Sequence, residues 1–288
     1  MSTISPPAVI REYLAAMGVK PKKGLGQNFL INPGITKKVV TAAALTGADT
    51  VVEIGPGMGV LTEELAKAAG KVVAVEIDRT LIGILRKAFS EFQNVLFVEG
   101  DALDVDFDAL VAAAGGSFPY KVVANLPYYI TTPLLIRLIS GSLKTRLLVL
   151  MVQKEVALRL LAEPGTKEYG SLSVLVAYKT RPELITMVSR GSFFPAPEVD
   201  SAVVRLEIRS SPPVTVPDEE LLFRVVRAAF GQRRKTLLNS LSGSGIGLSR
   251  EAWKAALAHA GIDPGRRGET LNLAEFGAVT RSLSRGEV

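Results

Sequence analysis

The chain has 288 residues, of which 48% are hydrophobic and 22% are charged, so it can form one large domain with or without a small second one. This composition is typical of globular proteins and excludes a disordered or fibrous chain. Cysteine is absent and His259 is the single histidine, which excludes disulfides, thiolate nucleophiles and Cys/His zinc sites and leaves little basis for a Ser-His-Asp triad.

Basic residues outnumber acidic ones by 34 to 28, a net charge of +6 that favours polyanionic partners modestly. The excess is concentrated: residues 1–40 hold six basic side chains against one acidic, and residues 224–235 hold five against none. Each patch alone could be a solvated surface, and phosphate contact is favoured only if a nucleic-acid site exists elsewhere. Because we find neither a membrane-length apolar run nor a signal sequence, we expect a cytoplasmic protein.

From residue 50 onward, short β-branched runs alternate with helical stretches. Five runs, apolar on both faces, occupy residues 51–54, 72–77, 95–98, 121–124 and 147–152. This pattern predicts an α/β fold, with a doubly wound, mostly parallel Rossmann-like sheet covered by helices. Two later runs, 183–188 and 202–208, are separated by glycine and proline rather than by a helix, so we predict an antiparallel pair at one edge.

A proline-rich stretch at residues 212–217 precedes three acidic residues at 218–220. Such a stretch marks a linker, and the acidic residues mark the first turn of a helix. We therefore predict one domain over residues 1–209 and a second over 210–288. Glycines that punctuate the second segment indicate a small all-helical module.

The first strand is followed by a glycine-rich turn, E-I-G-P-G-M-G at residues 53–59. Gly55 and Gly57 would let the backbone turn sharply and approach a ligand beyond the strand end. A dinucleotide fingerprint has its third glycine where this chain has Val60, so the spacing suits a cofactor that lacks a pyrophosphate. The alternative is a purely structural strand-to-helix turn.

Carboxylates end the next two strands. Glu76 lies about twenty residues beyond the glycines, where it can accept hydrogen bonds from both hydroxyls of a ribose. Asp101 follows the third strand and could accept from an adenine amino group, although alone it would be interpreted as a helix cap.

The fourth strand ends in Asn125, Leu126, Pro127 and Tyr128. An adenine amino nitrogen is a poor nucleophile because its lone pair is delocalised, so acceptors that bind both of its hydrogens would activate it. The Asn125 Oδ1 and the Leu126 carbonyl, fixed by the proline, could be those acceptors. Tyr128 would stack on the base, a contact of roughly 1 to 3 kcal/mol. A plain turn with a core tyrosine is the alternative.

In this order, the strand-end motifs resemble those of S-adenosylmethionine-dependent methyltransferases, specifically the ribosomal RNA adenine N6-dimethyltransferases of the KsgA type, related to Dim1 and Erm. Three further segments share the resemblance: K-G-L-G-Q-N-F-L at 23–30, F-F-P-A-P-E-V-D-S at 193–201 and F-G-Q-R-R-K-T-L at 230–237. The resemblance implies S-adenosyl-L-methionine as cofactor. It also implies methyl transfer to N6 of two adjacent adenosines near the 3′ end of 16S rRNA.

The resemblance also implies roles for individual residues. Those expected to bind the cofactor are Gln27, Asn28, Leu30, Gly55, Gly57, Glu76, Asp101 and Asn125. Those expected around the target base are Asn125, Leu126, Pro127, Tyr128 and Phe193, with Phe193 facing Tyr128 across the base. Phosphates are expected to contact Lys22, Lys23 and the basic cluster at 233–235.

The expected partner is small-subunit rRNA within an immature small ribosomal subunit, bound by a monomer without a metal or a membrane. The tail segment 232–239 resembles KsgA more than Erm. Three alternatives remain: an Erm-like 23S rRNA adenine methyltransferase, an assembly factor whose binding matters more than its catalysis, and a nicotinamide oxidoreductase that shares only the glycine turn and Glu76.

Overall fold

The structure is a computed structural model that describes residues 7–16, 18, 20–140, 143–232 and 234–284. The chain forms two compact units. The first contains the described residues up to Ala157 together with Arg181–Ile208, and the second contains Leu158–Thr180 together with the described residues from Arg209 onward.

A seven-stranded sheet is the centre of the first unit, with strand order β4-β3-β2-β5-β6-β9-β7. Strands β2 to β6 pair in parallel where they are neighbours, and β9 runs antiparallel to β6. Two short strands, β1 and β8, form a separate antiparallel pair. The strands are β1 Phe29–Leu30, β2 Thr50–Ile54, β3 Lys71–Glu76, β4 Val95–Glu99, β5 Tyr120–Asn125, β6 Thr145–Gln153, β7 Thr180–Val188, β8 Phe193–Phe194 and β9 Ser201–Ile208.

Helices alternate with these strands. They are α1 Pro7–Ala16, α2 Pro33–Ala43, α3 Val60–Ala68, α4 Arg79–Ala88, α5 Phe107–Ala113, α6 Thr131–Ile139 and α7 Lys154–Leu160. Local capping fixes two of these starts: the Asn32 side chain accepts the Gly34 and Ile35 N–H groups at the start of α2, and Asp78 accepts the Thr80 N–H at the start of α4. The central strands are almost fully buried, which explains their apolar character on both faces. The predicted fold class is confirmed.

The second unit is helical in its described part. Its helices are α8 Ser171–Lys179, α9 Glu219–Gly231, α10 Leu237–Ser242, α11 Arg250–His259 and α12 Leu273–Ser284. Their core contains Trp253, Phe276 and Leu222. Asp218 caps α9 by accepting from the Leu221 N–H at 3.0 Å, as the first-turn acidic residues indicated. Across the described part of the chain, every helix is too short or too polar to cross a bilayer.

The predicted division of the chain at residue 209 does not describe the segment Leu158–Thr180. This segment lies between two strands of the sheet, which is why the sequence placed it in the first domain. In the structure, Tyr169, Val174 and Tyr178 instead join the core of the second unit. The Tyr178 ring meets the Phe223 ring edge to face, with centroids 5.4 Å apart. Burial of these aromatic rings outweighs chain proximity.

A buried ion pair lies at the amino ends of the central strands, opposite the end where the carboxyl termini of the strands meet. Lys121 Nζ lies 3.1 Å from Asp49 Oδ2 and donates to the carbonyls of Ala43 and Ala44 at 3.0 and 2.6 Å. Arg146 also pairs with Asp49. The Lys121 and Asp49 side chains are only 6% and 7% exposed. Burial alone would raise the pKa of Asp49, but hydrogen bonds from its neighbours lower it, so the Asp49 carboxyl stays ionised.

We expect Asp49→Ala to lower the free energy of unfolding by about 3 kcal/mol, because it leaves the Lys121 ammonium buried without its counter-ion. Urea denaturation measures the change. Glu64→Ala is the control, since it removes an exposed ion pair with Lys67 that contributes no more than about 1 kcal/mol. Equal effects of the two substitutions would contradict this account.

Candidate active site

A cleft opens at the carboxyl ends of β2, β3 and β5, where the strand order reverses. Its walls are residues 25–30, the glycine turn after β2, the end of β3 and residues 125–129. It encloses about 820 Å³, including the part that opens to solvent. In open parallel sheets, this crevice is where ligands bind.

The glycine turn needs glycine for both conformation and space. Gly55 and Gly57 have φ values of 70° and 58°, in the left-handed region that side chains disfavour. A Cβ on Gly57 would also lie 3.0 Å from the Phe29 ring. The Gly57 N–H donates to Glu76 Oε2 at 3.3 Å, so the turn is tied to the end of the neighbouring strand.

Glu76 presents a buried carboxylate to the cleft. The residue is 6% exposed, and its Oε1 accepts the Asp78 N–H at 2.9 Å. Burial raises the pKa of Glu76, while the backbone N–H groups of Asp78 and Gly57 oppose the rise. A carboxylate has about four acceptor positions, so Glu76 can still accept from a ligand hydroxyl. This geometry suits the predicted contact with a ribose.

Asn125 and Leu126 offer two acceptors at the end of β5. Asn125 Nδ2 donates to the Asn28 carbonyl at 3.1 Å, which leaves Oδ1 as the acceptor of this side chain. The Leu126 N–H donates to the Met151 carbonyl at 3.1 Å. Within the described residues, neither Asn125 Oδ1 nor the Leu126 carbonyl receives a hydrogen bond. Both predicted acceptors for an amino group are therefore available.

The Tyr128 side chain is positioned by a hydrogen bond at its hydroxyl. Its hydroxyl lies 2.8 Å from the Oγ of Ser201, a fully buried residue at the start of β9. The half-buried Tyr128 ring lines the cleft, and burial raises the pKa of its hydroxyl. Tyr129 beside it also lines the cleft and is 53% exposed. A flat aromatic surface is thus fixed next to the two acceptors.

Gln27, Asn28 and Leu30 line the cleft, on the wall formed by residues 25–30, and their contacts with the cofactor stay predictions. The Lys22 ammonium lies 2.8 Å from Asp78 Oδ1, and its expected contact with phosphate stays a prediction. Of the other residues expected to contact phosphate, Arg234 and Lys235 are exposed. Arg233 lies outside the described residues, as does the side chain of Lys23.

Asp101 and Phe193 are not among the residues that line the cleft. Asp101 Oδ1 accepts the Leu103 N–H at 2.8 Å within the turn that follows β4, whereas the N-cap of the next helix, α5, is Asp106. Phe193 pairs with Leu30 across the two short strands and is only 3% exposed within the core. Their expected contacts with the cofactor adenine and with the target base stay predictions.

Glu53 is a cleft residue to which the sequence analysis assigned no role. It is 1% exposed, and its Oε2 has no hydrogen-bond partner in the described structure. Burial raises the pKa of Glu53 to about 8, and the nearby Glu76 carboxylate adds to the rise. A buried polar atom without a hydrogen-bond partner lowers the free energy of unfolding unless a ligand or a water molecule donates a hydrogen bond to it. The signal available in the sequence was a charged residue inside an otherwise apolar strand.

We expect the free energy of unfolding to fall as the pH rises from the ordinary Glu53 pKa of 4.5 to its folded value of about 8. In this range the folded state keeps a proton that the unfolded state has lost, a contribution on the order of 4 kcal/mol. Glu53→Gln should remove that part of the pH dependence. Urea denaturation of both proteins at about pH 5 and about pH 8 makes the comparison, and identical slopes would contradict it.

The described residues include no cluster of three or more His, Cys, Asp or Glu side chains that could hold a metal ion. The polar side chains of the cleft are carboxyl groups, amides and tyrosine hydroxyls, which can bind organic hydroxyl, amino and carboxylate groups.

Residues 18–281 match the family model described as ribosomal RNA adenine dimethylase. Curated relatives named ribosomal RNA small subunit methyltransferase A include one from Pelotomaculum thermopropionicum, 54% identical over 98% of both chains, and one from Moorella thermoacetica, 51% identical over 98% of this chain and 99% of the relative. Among solved structures, a dimethyladenosine transferase from Plasmodium falciparum has a TM-score of 0.78 at 28% identity, covering 89% of this chain and 98% of its own. The 23S rRNA methyltransferase ErmE has a TM-score of 0.69 at 27% identity, covering 89% and 100%.

Proposed function

This chain belongs to the ribosomal RNA adenine dimethylase family, and we propose that it methylates N6 of two adjacent adenosines near the 3′ end of small-subunit (16S) rRNA. It is an S-adenosylmethionine-dependent rRNA adenine dimethyltransferase, as membership of the family entails. Relatives named for the small subunit support that subunit, since they are 51 to 54% identical. ErmE, which is named for 23S rRNA, is 27% identical.

The observation that carries the proposal is the pair of available acceptors beside a fixed aromatic ring. Asn125 Oδ1 and the Leu126 carbonyl would bind the two hydrogens of an adenine amino group. This contact favours a pyramidal nitrogen whose lone pair points away from the ring. Tyr128, held by Ser201, would stack on the base and keep that nitrogen in place.

The cofactor supplies an electrophilic methyl group on a sulfonium. The chain supplies orientation: Glu76 would hold the ribose hydroxyls, the glycine turn would admit the methionine portion, and Asn125 lies on the opposite wall. No strong base is needed, because the methylated nitrogen becomes acidic and loses its proton to water. A monomethylated amine still has one N–H for one acceptor, so the same socket can serve the second transfer.

The proposed partner is small-subunit rRNA within an immature subunit, approached by a monomer in the cytoplasm. The exposed Arg234 and Lys235 support phosphate contact by the second unit, because such contacts fix register on RNA without reading its sequence. The target adenosines must leave their stack, at a cost of a few kcal/mol that the RNA contacts offset.

The direct test is transfer of tritiated methyl groups from S-adenosylmethionine to unmethylated small subunits, followed by nucleoside analysis. We expect N6,N6-dimethyladenosine in the small-subunit RNA and little label in purified 23S rRNA. Label confined to 23S rRNA would favour the Erm-like alternative. Absence of label in both RNAs would refute the proposed function.

We expect Tyr128→Ala to lower kcat/KM for the RNA by about 5- to 150-fold, because it removes the stacking surface, worth roughly 1 to 3 kcal/mol. Tyr128→Phe is the matched control: it keeps the ring and loses only the hydroxyl that meets Ser201. Steady-state kinetics on small subunits separates the two variants. If Tyr128→Phe is as impaired as Tyr128→Ala, stacking is not the role of this ring.

A further inference from the structure

Asp78 connects the N-terminal wall of the cleft to the strand end that carries Glu76. Lys22 Nζ lies 2.8 Å from Asp78 Oδ1, and Gln27 Nε2 lies 3.0 Å from Asp78 Oδ2. The Lys22 N–H also donates to Gln27 Oε1 at 2.7 Å, so the two residues contact each other as well as Asp78. We call residues 22–28 the strap.

Asp78, which holds one end of the strap, is buried and charged. The Asp78 side chain is 3% exposed, against 51% for Lys22. Burial alone would raise the pKa of Asp78, but the hydrogen bonds from Lys22, Gln27 and the Thr80 N–H lower it. Opening the strap at this end would leave an ionised, buried carboxylate without its cation, which is unfavourable.

Asp78 also contacts Glu76, the residue predicted to bind the ribose. The Asp78 N–H donates to Glu76 Oε1 at 2.9 Å. At its other end, the strap is held because the Asn28 carbonyl accepts from Asn125 Nδ2 at 3.1 Å. The strap therefore runs from the side of Glu76 to the side of Asn125, and residues 25–28 of it line the cleft.

We propose that Asp78 is a positioning residue whose ion pair with Lys22 holds the strap closed along the cofactor cleft. The inference rests on the proposed function, because it takes S-adenosylmethionine as the occupant. Asp78 touches no reacting atom. Its loss therefore weakens cofactor binding and leaves the rate at saturating cofactor unchanged.

Asp78→Asn isolates this role. Asparagine caps helices as well as aspartate does, so the start of α4, where Asp78 accepts the Thr80 N–H at 3.0 Å, is preserved. The substitution removes the charge that pairs with Lys22 and replaces one acceptor by a donor. Lys22→Met removes the pair from the other side. Lys67→Met is the control, because Lys67 is 53% exposed and pairs with Glu63 and Glu64 outside the cleft.

We expect KM for S-adenosylmethionine to rise about tenfold in Asp78→Asn and in Lys22→Met, as loss of one hydrogen bond to a charged group implies. The double variant should be little worse than either single variant, because both remove one interaction. The value of kcat at saturating cofactor should stay at the parent value, as should every parameter of Lys67→Met. Calorimetric titration with S-adenosylhomocysteine should show the same loss of affinity.

Trypsin cleavage after Lys23 gives an independent measure of the strap. We expect S-adenosylhomocysteine to slow this cleavage in the parent, and Asp78→Asn to be cut faster than the parent without ligand. Unchanged cofactor KM and unchanged cleavage in both variants would overturn the proposal. A rise in the KM for RNA alone in Lys22→Met would also overturn it and would return Lys22 to phosphate contact. If the parent itself bound no S-adenosylhomocysteine, the proposed function would fail, whereas equal binding by parent and Asp78→Asn would defeat only the strap.

Discussion

The reversal of strand order beside β2 is the constraint on which the rest of the structure depends. The chain moves from β2 outward to β3 and β4, then returns to place β5 on the other side of β2. The connections after β2 and β5 therefore leave toward opposite faces, and a crevice forms between them. Glu76 and Asn125 come from strands that flank β2 on its two sides, so sheet topology alone brings them to one cleft.

Two carboxyl side chains of the cleft, Glu53 and Glu76, are almost fully buried. Glu76 is satisfied in part by the backbone N–H groups of Gly57 and Asp78. Glu53 has no such donor for its Oε2 and carries a raised pKa. A ligand rich in hydroxyl and amino hydrogens could form hydrogen bonds with these groups, so the lining of the cleft and the chemistry of such a ligand are complementary.

Much of this site follows from local pattern. Apolar runs locate the five parallel strands to within two residues. Because parallel strands bring their carboxyl ends to one edge, the glycine turn, Glu76 and residues 125–128 could be placed from sequence. Other features depend on contacts that no local pattern encodes. Lys22 meets Asp78 across 56 residues of chain, β1 and β8 are too short to show periodicity, and this pairing carries Phe193 into the core. The segment that contains Tyr169 joins the second unit because its aromatic rings are buried in the core of that unit.

Strand β5 carries Lys121 near its first residue and Asn125 at its last, about 13 Å apart along an extended backbone. The charged cluster of Lys121, Asp49 and Arg146 thus includes a residue of the same strand whose far end presents the acceptor amide. Fold maintenance and ligand recognition are divided between the two termini of a single element. Substitutions at residues 125–129 that adapt the site to other amines would leave the ion-paired start of β5 untouched. The substrate could therefore change while the fold is kept.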